Sequence, residues 1–175
     1  MAFAVKPIKK ANRSFAVLKE YRKLVSLKTQ QINMGDKLVN ILLIEDDEID
    51  VMNVKRAFKK NNVTNPLYVC NNGIEALDFL RSNKEHLANL PKIILLDLNM
   101  PKMGGIEFLR EIRKDNHFKN LSIFVITTSN EDKDKVDAYN LNVAGYILKP
   151  SSMERFVEAV STLNNYWKLC EYPEH

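Results

Sequence analysis

The feature that most constrains the fold is a regular alternation, from residue 38 onward, of short apolar runs with amphipathic segments. The apolar runs lie at residues 38–44, 67–70, 92–96, 122–126 and 146–148. Short apolar runs bounded by turn residues predict buried strands. Their apolar positions are consecutive rather than alternate, which is typical of a parallel sheet that is covered on both faces.

Each apolar run is followed by a segment with apolar residues at helical spacing. Helices are predicted over residues 49–60, from Gly73 through Leu80, from Gly105 through Ile112, over residues 131–141, and from a Ser151 or Ser152 cap to Trp167. The inner face of the first helix is predicted to comprise Ile49, Met52, Val54, Ala57 and Phe58. Strict alternation of strand and helix predicts an α/β fold, a doubly wound five-stranded parallel sheet with five helices.

The charge of the chain is unevenly distributed. The total is +4, but residues 1–37 hold nine Lys/Arg and two acids, so this segment carries +7 and the remainder −3. We therefore expect a basic leader at 1–37, one domain at 38–168 and a short tail at 169–175. For the leader, the alternatives are a partly disordered solvated tail, a natural start at Met34, or an arm that binds a membrane surface, a partner or nucleic acid. In the last case, deleting residues 1–33 should abolish salt-sensitive binding.

The sequence contains no apolar run close to the ~20 residues of a membrane helix and no secretory signal. Cys70 and Cys170 have neither metal-ligand spacing nor a disulfide pattern. A cytoplasmic, reducing location is the expectation.

Polar residues follow four of the five predicted strands. They are Glu45, Asp46 and Asp47 after the first strand, Asp97 and Asn99 after the third, Thr127 and Thr128 at the end of the fourth, and Lys149 after the fifth. These strand ends meet at one edge of a doubly wound sheet. Grouped carboxylates suit a hard cation such as Mg²⁺, and one of them can be a nucleophile toward phosphorus. A Lys ammonium and a hydroxyl can stabilise the transferred phosphoryl group.

Each of these residues also has a structural explanation when it is taken singly. Asp46 or Asp47 can cap the first helix, Thr127 can bond to loop backbone, and Lys149 can lie on the surface. Asp97 can simply be a polar residue that ends a strand. The combination at four strand ends predicts a phosphoryl-transfer site.

The chain resembles the receiver domain of two-component response regulators over about residues 38–168. The similarity is carried by four stretches: Ile41-Leu42-Leu43-Ile44-Glu45-Asp46-Asp47, Leu95-Leu96-Asp97-Leu98-Asn99-Met100-Pro101-Lys102-Met103-Gly104-Gly105, Val125-Ile126-Thr127-Thr128 and Gly145-Tyr146-Ile147-Leu148-Lys149-Pro150. Within this family, the chain is most similar to single-domain regulators that partner bacterial phytochromes and hybrid histidine kinases. The resemblance implies the flavodoxin-like receiver fold.

The resemblance also implies a role for each site residue. Asp97 is the expected phospho-acceptor, and Mg²⁺ is expected on Glu45, Asp46, Asp97 and the backbone carbonyl of Asn99. Thr127 and Lys149 are expected to bind the phosphoryl group, and Tyr146 is expected to move with Thr127 as a switch. In this family the bond corresponding to Lys149–Pro150 is often cis.

The expected partners follow from the same resemblance. They are a sensor or hybrid histidine kinase, of the phytochrome-linked kind, and a phosphotransfer protein or a second copy of the chain as the output partner. Only eight residues follow Trp167, so no DNA-binding domain is expected there. The lack of a long apolar run likewise predicts no membrane span. The chain is expected to be a switch whose only reactions are self-catalysed phosphotransfer and autodephosphorylation.

The sequence disfavours two other functions. Phosphatases of the haloacid-dehalogenase type need a second Asp in an Asp-x-Asp pattern, and Asp97-Leu98-Asn99 lacks it. An interaction domain that has lost phosphorylation is disfavoured by the complete set of acceptor, metal, Thr and Lys residues.

Overall fold

Strands and helices alternate along the chain as the apolar pattern predicts. A computed structural model describes residues 39–85 and 90–171, all within the compact unit Leu38–His175. The strands are β1 (Asn40–Ile44), β2 (Leu67–Cys70), β3 (Pro91–Leu96), β4 (Ser122–Thr127) and β5 (Gly145–Leu148). The helices are α1 (Glu48–Lys60), α2 (Gly73–Ser82), α3 (Gly105–Lys114), α4 (Asp132–Asn140) and α5 (Met153–Lys168). The predictions for residues 1–37, including the basic leader, lie outside the described residues.

The five strands form one parallel sheet in the order β2-β1-β3-β4-β5. The strand order reverses beside β1, so the crevice expected in a doubly wound sheet opens at the carboxyl ends of β1 and β3. Ile44 pairs with Leu96 at these ends. The residues that follow, Glu45 and Asp97, therefore emerge side by side. The predicted doubly wound fold is confirmed.

Apolar side chains fill both faces of the sheet because successive strand residues point to opposite sides. Leu42 and Ile44 of β1 pack in the cluster formed with α2, α3 and α4. Ile41 and Leu43 pack in the cluster formed with α1 and α5. Double coverage explains why the strands are apolar at consecutive positions.

The inner face of α1 differs from the prediction. Ile49 is 62% exposed and Met52 is 45% exposed, whereas Val51 is buried with the predicted Val54. The packing of α1 on the sheet, rather than the spacing of its apolar residues alone, decides which residues are buried. Ile49 and Met52 were wrong as core positions.

The last helix packs through its tryptophan. Trp167 is 3% exposed, its ring centroid lies 6.3 Å from that of Phe58, and its Nε1–H donates to Asn164 Oδ1 at 2.9 Å. Tyr166 and Leu169 are exposed. In the described part of the chain, none of the helices combines the length and apolar character needed to cross a membrane.

Arg113 fastens the amino ends of two strands. Its guanidinium donates to the carbonyls of Lys119 and Leu121, which precede β4, and to those of Leu141 and Asn142, which precede β5. Burial lowers the pKa of Arg113 from its ordinary value. This clamp lies at the end of the sheet opposite the carboxyl ends of the strands.

Candidate functional site: an acidic cluster at the carboxyl edge of the sheet

The three acids after β1 have three different environments. Glu45 is 3% exposed, and its N–H donates to the carbonyl of Cys70 at 2.9 Å, which continues the pairing of β1. Asp46 is exposed at the rim. Asp47 caps α1, since its Oδ1 accepts the Ile49 N–H at 2.7 Å. The capping explanation therefore applies to Asp47 and leaves Glu45 and Asp46 available to the site.

Asp97 is held at the centre of the crevice by backbone bonds on both sides. Its N–H donates to the carbonyl of Ile44 at 3.0 Å, and its Oδ2 accepts the N–H of Asn99 at 3.2 Å. The residue is 4% exposed. Its Oδ1 is buried without a hydrogen-bond partner, and it is the one such side-chain oxygen or nitrogen in the described residues. An unsatisfied buried carboxylate oxygen is costly, so this atom is placed for a ligand.

Glu45, Asp46 and Asp97 form a cluster that can hold a divalent cation. Each offers one carboxylate oxygen, and these oxygens lie within 4.8 Å of one another. Mg²⁺ favours oxygen ligands and is commonly held by one or two protein carboxylates. Asp97, whose Oδ1 has no hydrogen-bond partner, belongs to this cluster, and an unsatisfied carboxylate fits that purpose. The contact recorded for Asn99 runs through its N–H, so the metal role of its carbonyl stays a prediction.

Lys149 connects the cluster to α1. Its Nζ lies 2.8 Å from Glu45 Oε2 and 2.7 Å from Asp50 Oδ2, and 3.6 Å from Asp97 Oδ1. Its side chain is 12% exposed. Asp50 was missed by the sequence reasoning. It lies inside the predicted first helix, and no sequence signal places its side chain opposite the end of β5.

Burial and neighbouring charges shift the pKa values of Glu45 and Lys149. Burial raises the pKa of Glu45 to about 7, although the hydrogen bond and the charge of Lys149 work in the opposite direction. Burial by itself would lower the pKa of Lys149. Its hydrogen bonds to Asp50 and Glu45 and the charge of Asp97 outweigh burial, so the pKa of Lys149 is raised. Lys149 is therefore a permanent positive charge in the site.

Thr127 and Tyr146 are linked through the loop after β4. Thr127 is fully buried, and its Oγ1 accepts the N–H of Ser129 at 3.2 Å. The hydroxyl of Tyr146 donates to the carbonyl of Ser129 at 3.0 Å. The Ser129 hydroxyl bonds to Asp134 Oδ2 on α4 at 2.6 Å. Ser129 and Asp134, neither of which was predicted as a site residue, thus connect the predicted Thr–Tyr pair to α4.

The end of β5 reaches the same edge. The backbone N–H of Lys149 donates to the carbonyl of Thr127 at 2.8 Å, which holds the two strand ends together. The Lys149–Pro150 bond is trans, as are all peptide bonds in the described ranges. The expectation of a cis bond was wrong for this structure, and trans is the favoured isomer even before proline.

Comparison with known proteins places the chain in a family. Residues 41–161 match the response regulator receiver domain. The chain is 35% identical over 127 residues to the probable methanogenesis regulatory protein FilR2 of Methanothrix harundinacea, which covers 73% of this chain and 82% of that protein. It is 32% identical over 128 residues to the response regulator Rcp1 of Synechocystis, which covers 73% of this chain and 87% of that protein.

Solved structures agree with the sequence matches. The Mn²⁺-bound form of Rcp1 is similar with a TM-score of 0.68 and 30% identity, covering 78% of this chain and 99% of that one. The phosphorylated cyanobacterial phytochrome response regulator RcpA is similar with a TM-score of 0.70 and 31% identity, again covering 78% and 99%.

The chain belongs to the response regulator receiver domain family. Such domains act in two-component phosphorelays with histidine kinases, and they are phospho-acceptor switches rather than enzymes. The predicted family and function class are confirmed. The acidic cluster of Glu45, Asp46 and Asp97 can hold a divalent metal ion, and the similar receiver Rcp1 has been solved in a Mn²⁺-bound form.

Proposed function

We propose that Asp97 is the phospho-acceptor of this receiver and that Glu45, Asp46 and Asp97, with the carbonyl of Asn99, hold Mg²⁺. The observation that carries the proposal is the buried Oδ1 of Asp97, which has no hydrogen-bond partner although Asp97 belongs to the acidic cluster and the ammonium of Lys149 lies 3.6 Å away. A carboxylate oxygen that is fixed, buried and unpartnered is available to attack an electrophile.

The reaction is a phosphoryl transfer from a kinase phosphohistidine. A carboxylate oxygen of Asp97 forms a bond to phosphorus, the phosphorus–nitrogen bond breaks, and the histidine leaves with the electron pair of that bond. When bound, Mg²⁺ supplies positive charge against the negative charge of the phosphoryl oxygens. Lys149 supplies a second positive charge from 3.6 Å away from the Oδ1 of Asp97. Phosphotransfer and autodephosphorylation at Asp97 are the only reactions proposed.

The phosphoryl group would then act on the loop after β4. It adds roughly −1.5 to −2 charges and new acceptor oxygens. The Oγ1 of Thr127 already accepts the Ser129 N–H, so its own O–H is available to donate to the phosphoryl group. Movement of Thr127 would reach Tyr146 through Ser129, whose carbonyl accepts the Tyr146 hydroxyl. The equilibrium between two loop arrangements is thus biased by a local charge.

The partners are proposed from the relatives. The match to phytochrome response regulators supports a phytochrome-linked sensor or hybrid kinase as the phosphoryl donor. A phosphotransfer protein or a homodimer is proposed as the output partner. We also propose residues 38–168 as the receiver domain, with 1–37 as a separate basic leader and 169–175 as a tail.

The acceptor is tested by intact-mass analysis after incubation with acetyl phosphate, with and without Mg²⁺. Wild type should gain one base-labile phosphate only with Mg²⁺, and Asp97→Asn should gain none. Asp78→Asn is the matched control because Asp78 is an exposed acid on α2 outside the cluster. Equal phosphate gain by Asp97→Asn and wild type would exclude Asp97 as the acceptor. Full switching by Thr127→Ala after phosphorylation would exclude the Thr127 step.

A further inference from the structure

Asp50 contacts Lys149 but is not one of the carboxylates of the metal cluster. It lies in the first turn of α1, and its Oδ2 is 2.7 Å from the ammonium of Lys149. The cluster of potential metal ligands comprises Glu45, Asp46 and Asp97. Asp50 is 31% exposed, and Lys149 is 12% exposed. The contact is therefore partly shielded from water, and its geometry is that of a charge-assisted hydrogen bond.

Lys149 has to share its other partners with the metal. An ammonium has three N–H donors, and two of them reach Glu45 and Asp50. Asp97 Oδ1 lies 3.6 Å from Nζ, within ion-pair distance and beyond a hydrogen bond. Glu45 and Asp97 are both cluster carboxylates. A divalent cation and the ammonium thus compete for these two side chains, and they also repel each other.

We propose that Asp50 is a positioning residue that keeps Lys149 beside Asp97 when the cluster holds a divalent cation. The inference rests on the proposed function, since it takes Lys149 and the cluster as parts of one site. Among the described residues, the Lys149 ammonium contacts the carboxylates of Glu45, Asp50 and Asp97. Asp50 is the one of these three that lies outside the metal cluster. With Asp50 as a fixed partner, the ammonium can release Glu45 to the metal and still remain near the acceptor.

Space around Lys149 makes such an anchor necessary. A cavity of about 120 Å³ is lined by Lys149 itself, by Glu45 and Asp97 of the cluster, by Asp50 and Asn53 of α1, and by Met153 and Phe156 of α5. A long lysine side chain with room to move adopts many rotamers, so its ammonium is localised only by its bonding partners. Without Asp50, the ammonium binds Glu45 more strongly and so competes with an incoming metal ion. Once the metal holds Glu45, no carboxylate outside the cluster localises the ammonium within the cavity.

The test is Mn²⁺ binding to the metal-free full chain, measured from the electron paramagnetic resonance signal of free Mn²⁺. Asp50→Asn should raise the Kd by roughly tenfold, the lower end of the effect of removing an outer-shell partner. Glu48→Gln is the control, because Glu48 is an exposed acid in the same first turn of α1 outside the recorded Lys149 contacts. Asp50→Glu should restore most of the affinity.

A double-mutant cycle separates positioning from plain loss of negative charge. In a Lys149→Met background the Asp50→Asn change should have little effect on the Kd, because its action runs through the ammonium. An equal effect in both backgrounds, or an equal effect of Glu48→Gln, would overturn the proposal.

A second readout follows the ammonium itself. The ¹⁵N–¹H signal of the Lys149 ammonium, assigned by its loss in Lys149→Met, should persist in wild type loaded with diamagnetic Mg²⁺ and vanish in Mg²⁺-loaded Asp50→Asn through faster exchange with water. Its persistence in Asp50→Asn would also overturn the proposal. Failure of wild type to bind Mn²⁺ at all would instead refute the metal site of the proposed function, so the two failures are distinguishable.

Discussion

Asp97→Asn should stabilise the metal-free protein, because the wild-type carboxylate is placed for a ligand rather than for stability. In Asn the side-chain volume is conserved and the amide oxygen can still accept the N–H of Asn99. The change removes one negative charge from a cluster whose oxygens lie within 4.8 Å of one another.

The expected gain can be worked from the distances. At 4.8 Å and an effective dielectric constant of about 20, each like-charge pair costs about 3.5 kcal/mol. The attraction between Lys149 and Asp97 at 3.6 Å offsets about 4.6 kcal/mol. Repulsion from Glu45 counts nearly in full, and that from exposed Asp46 counts for less because solvent screens it. Replacing the ionised carboxylate by a neutral amide also removes the cost of burying the unpartnered Oδ1 of Asp97. We therefore expect the free energy of unfolding to rise by about 1–2 kcal/mol.

The assay is urea unfolding followed by the fluorescence of Trp167, the single and buried tryptophan. It is best run near pH 8, where Glu45 is ionised. In EDTA, Asp97→Asn should have a higher free energy of unfolding than wild type, and saturating Mg²⁺ should reduce or reverse the difference because wild type binds the ion more tightly. Asp78→Asn should show neither effect. An Asp97→Asn protein no more stable than wild type in EDTA would refute this balance of charges.

Two further predictions follow from the same edge of the sheet. The pKa of Glu45 is raised to about 7 in the folded protein, so its stabilising contribution is present below its ordinary pKa of 4.5 and is lost as the pH rises through 7. In EDTA the free energy of unfolding of wild type should therefore fall by about 3 kcal/mol at most between pH 4.5 and 8. Glu45→Gln should lack this pH-dependent contribution. Parallel pH profiles of the free energy of unfolding for the two proteins would contradict the prediction. A Cβ on Gly105 would overlap the Asp97 carbonyl oxygen and lie 2.8 Å from the Cα of Leu98. Gly105→Ala should therefore cost about 2 kcal/mol in urea unfolding despite better helix propensity, and Gly104→Ala, with its nearest atom at 3.1 Å, should cost less; equal costs would argue against the overlap.

The parts of this fold that were predictable from sequence are those set by local pattern. Consecutive apolar residues fix the strands because both faces of the sheet are covered. The parallel sheet then brings together the residues that follow its strands, so Glu45, Asp97 and Lys149 could be grouped without coordinates. Neither step requires knowledge of how any helix is rotated on the sheet.

The parts that were not predictable depend on how helices are placed. The burial of Val51 in place of Ile49 and Met52 is decided by the rotation of α1, which spacing alone leaves open. Asp50 meets Lys149 across 99 residues of sequence, and only the packed position of α1 near the end of β5 brings them together. Which of Asp46 and Asp47 caps α1 likewise depended on the backbone at the helix start.

Because of the Arg113 clamp, the two ends of β4 and β5 differ in how firmly they are held. Four carbonyls at the amino ends of β4 and β5 are tied to one guanidinium, whereas at the carboxyl ends a few hydrogen bonds through Ser129 join the loop to Tyr146 and α4. The carboxyl ends of these strands, which have fewer such contacts, can move more than the amino ends. We therefore expect a change near Asp97 to alter the loop after β4 more than the amino ends of β4 and β5.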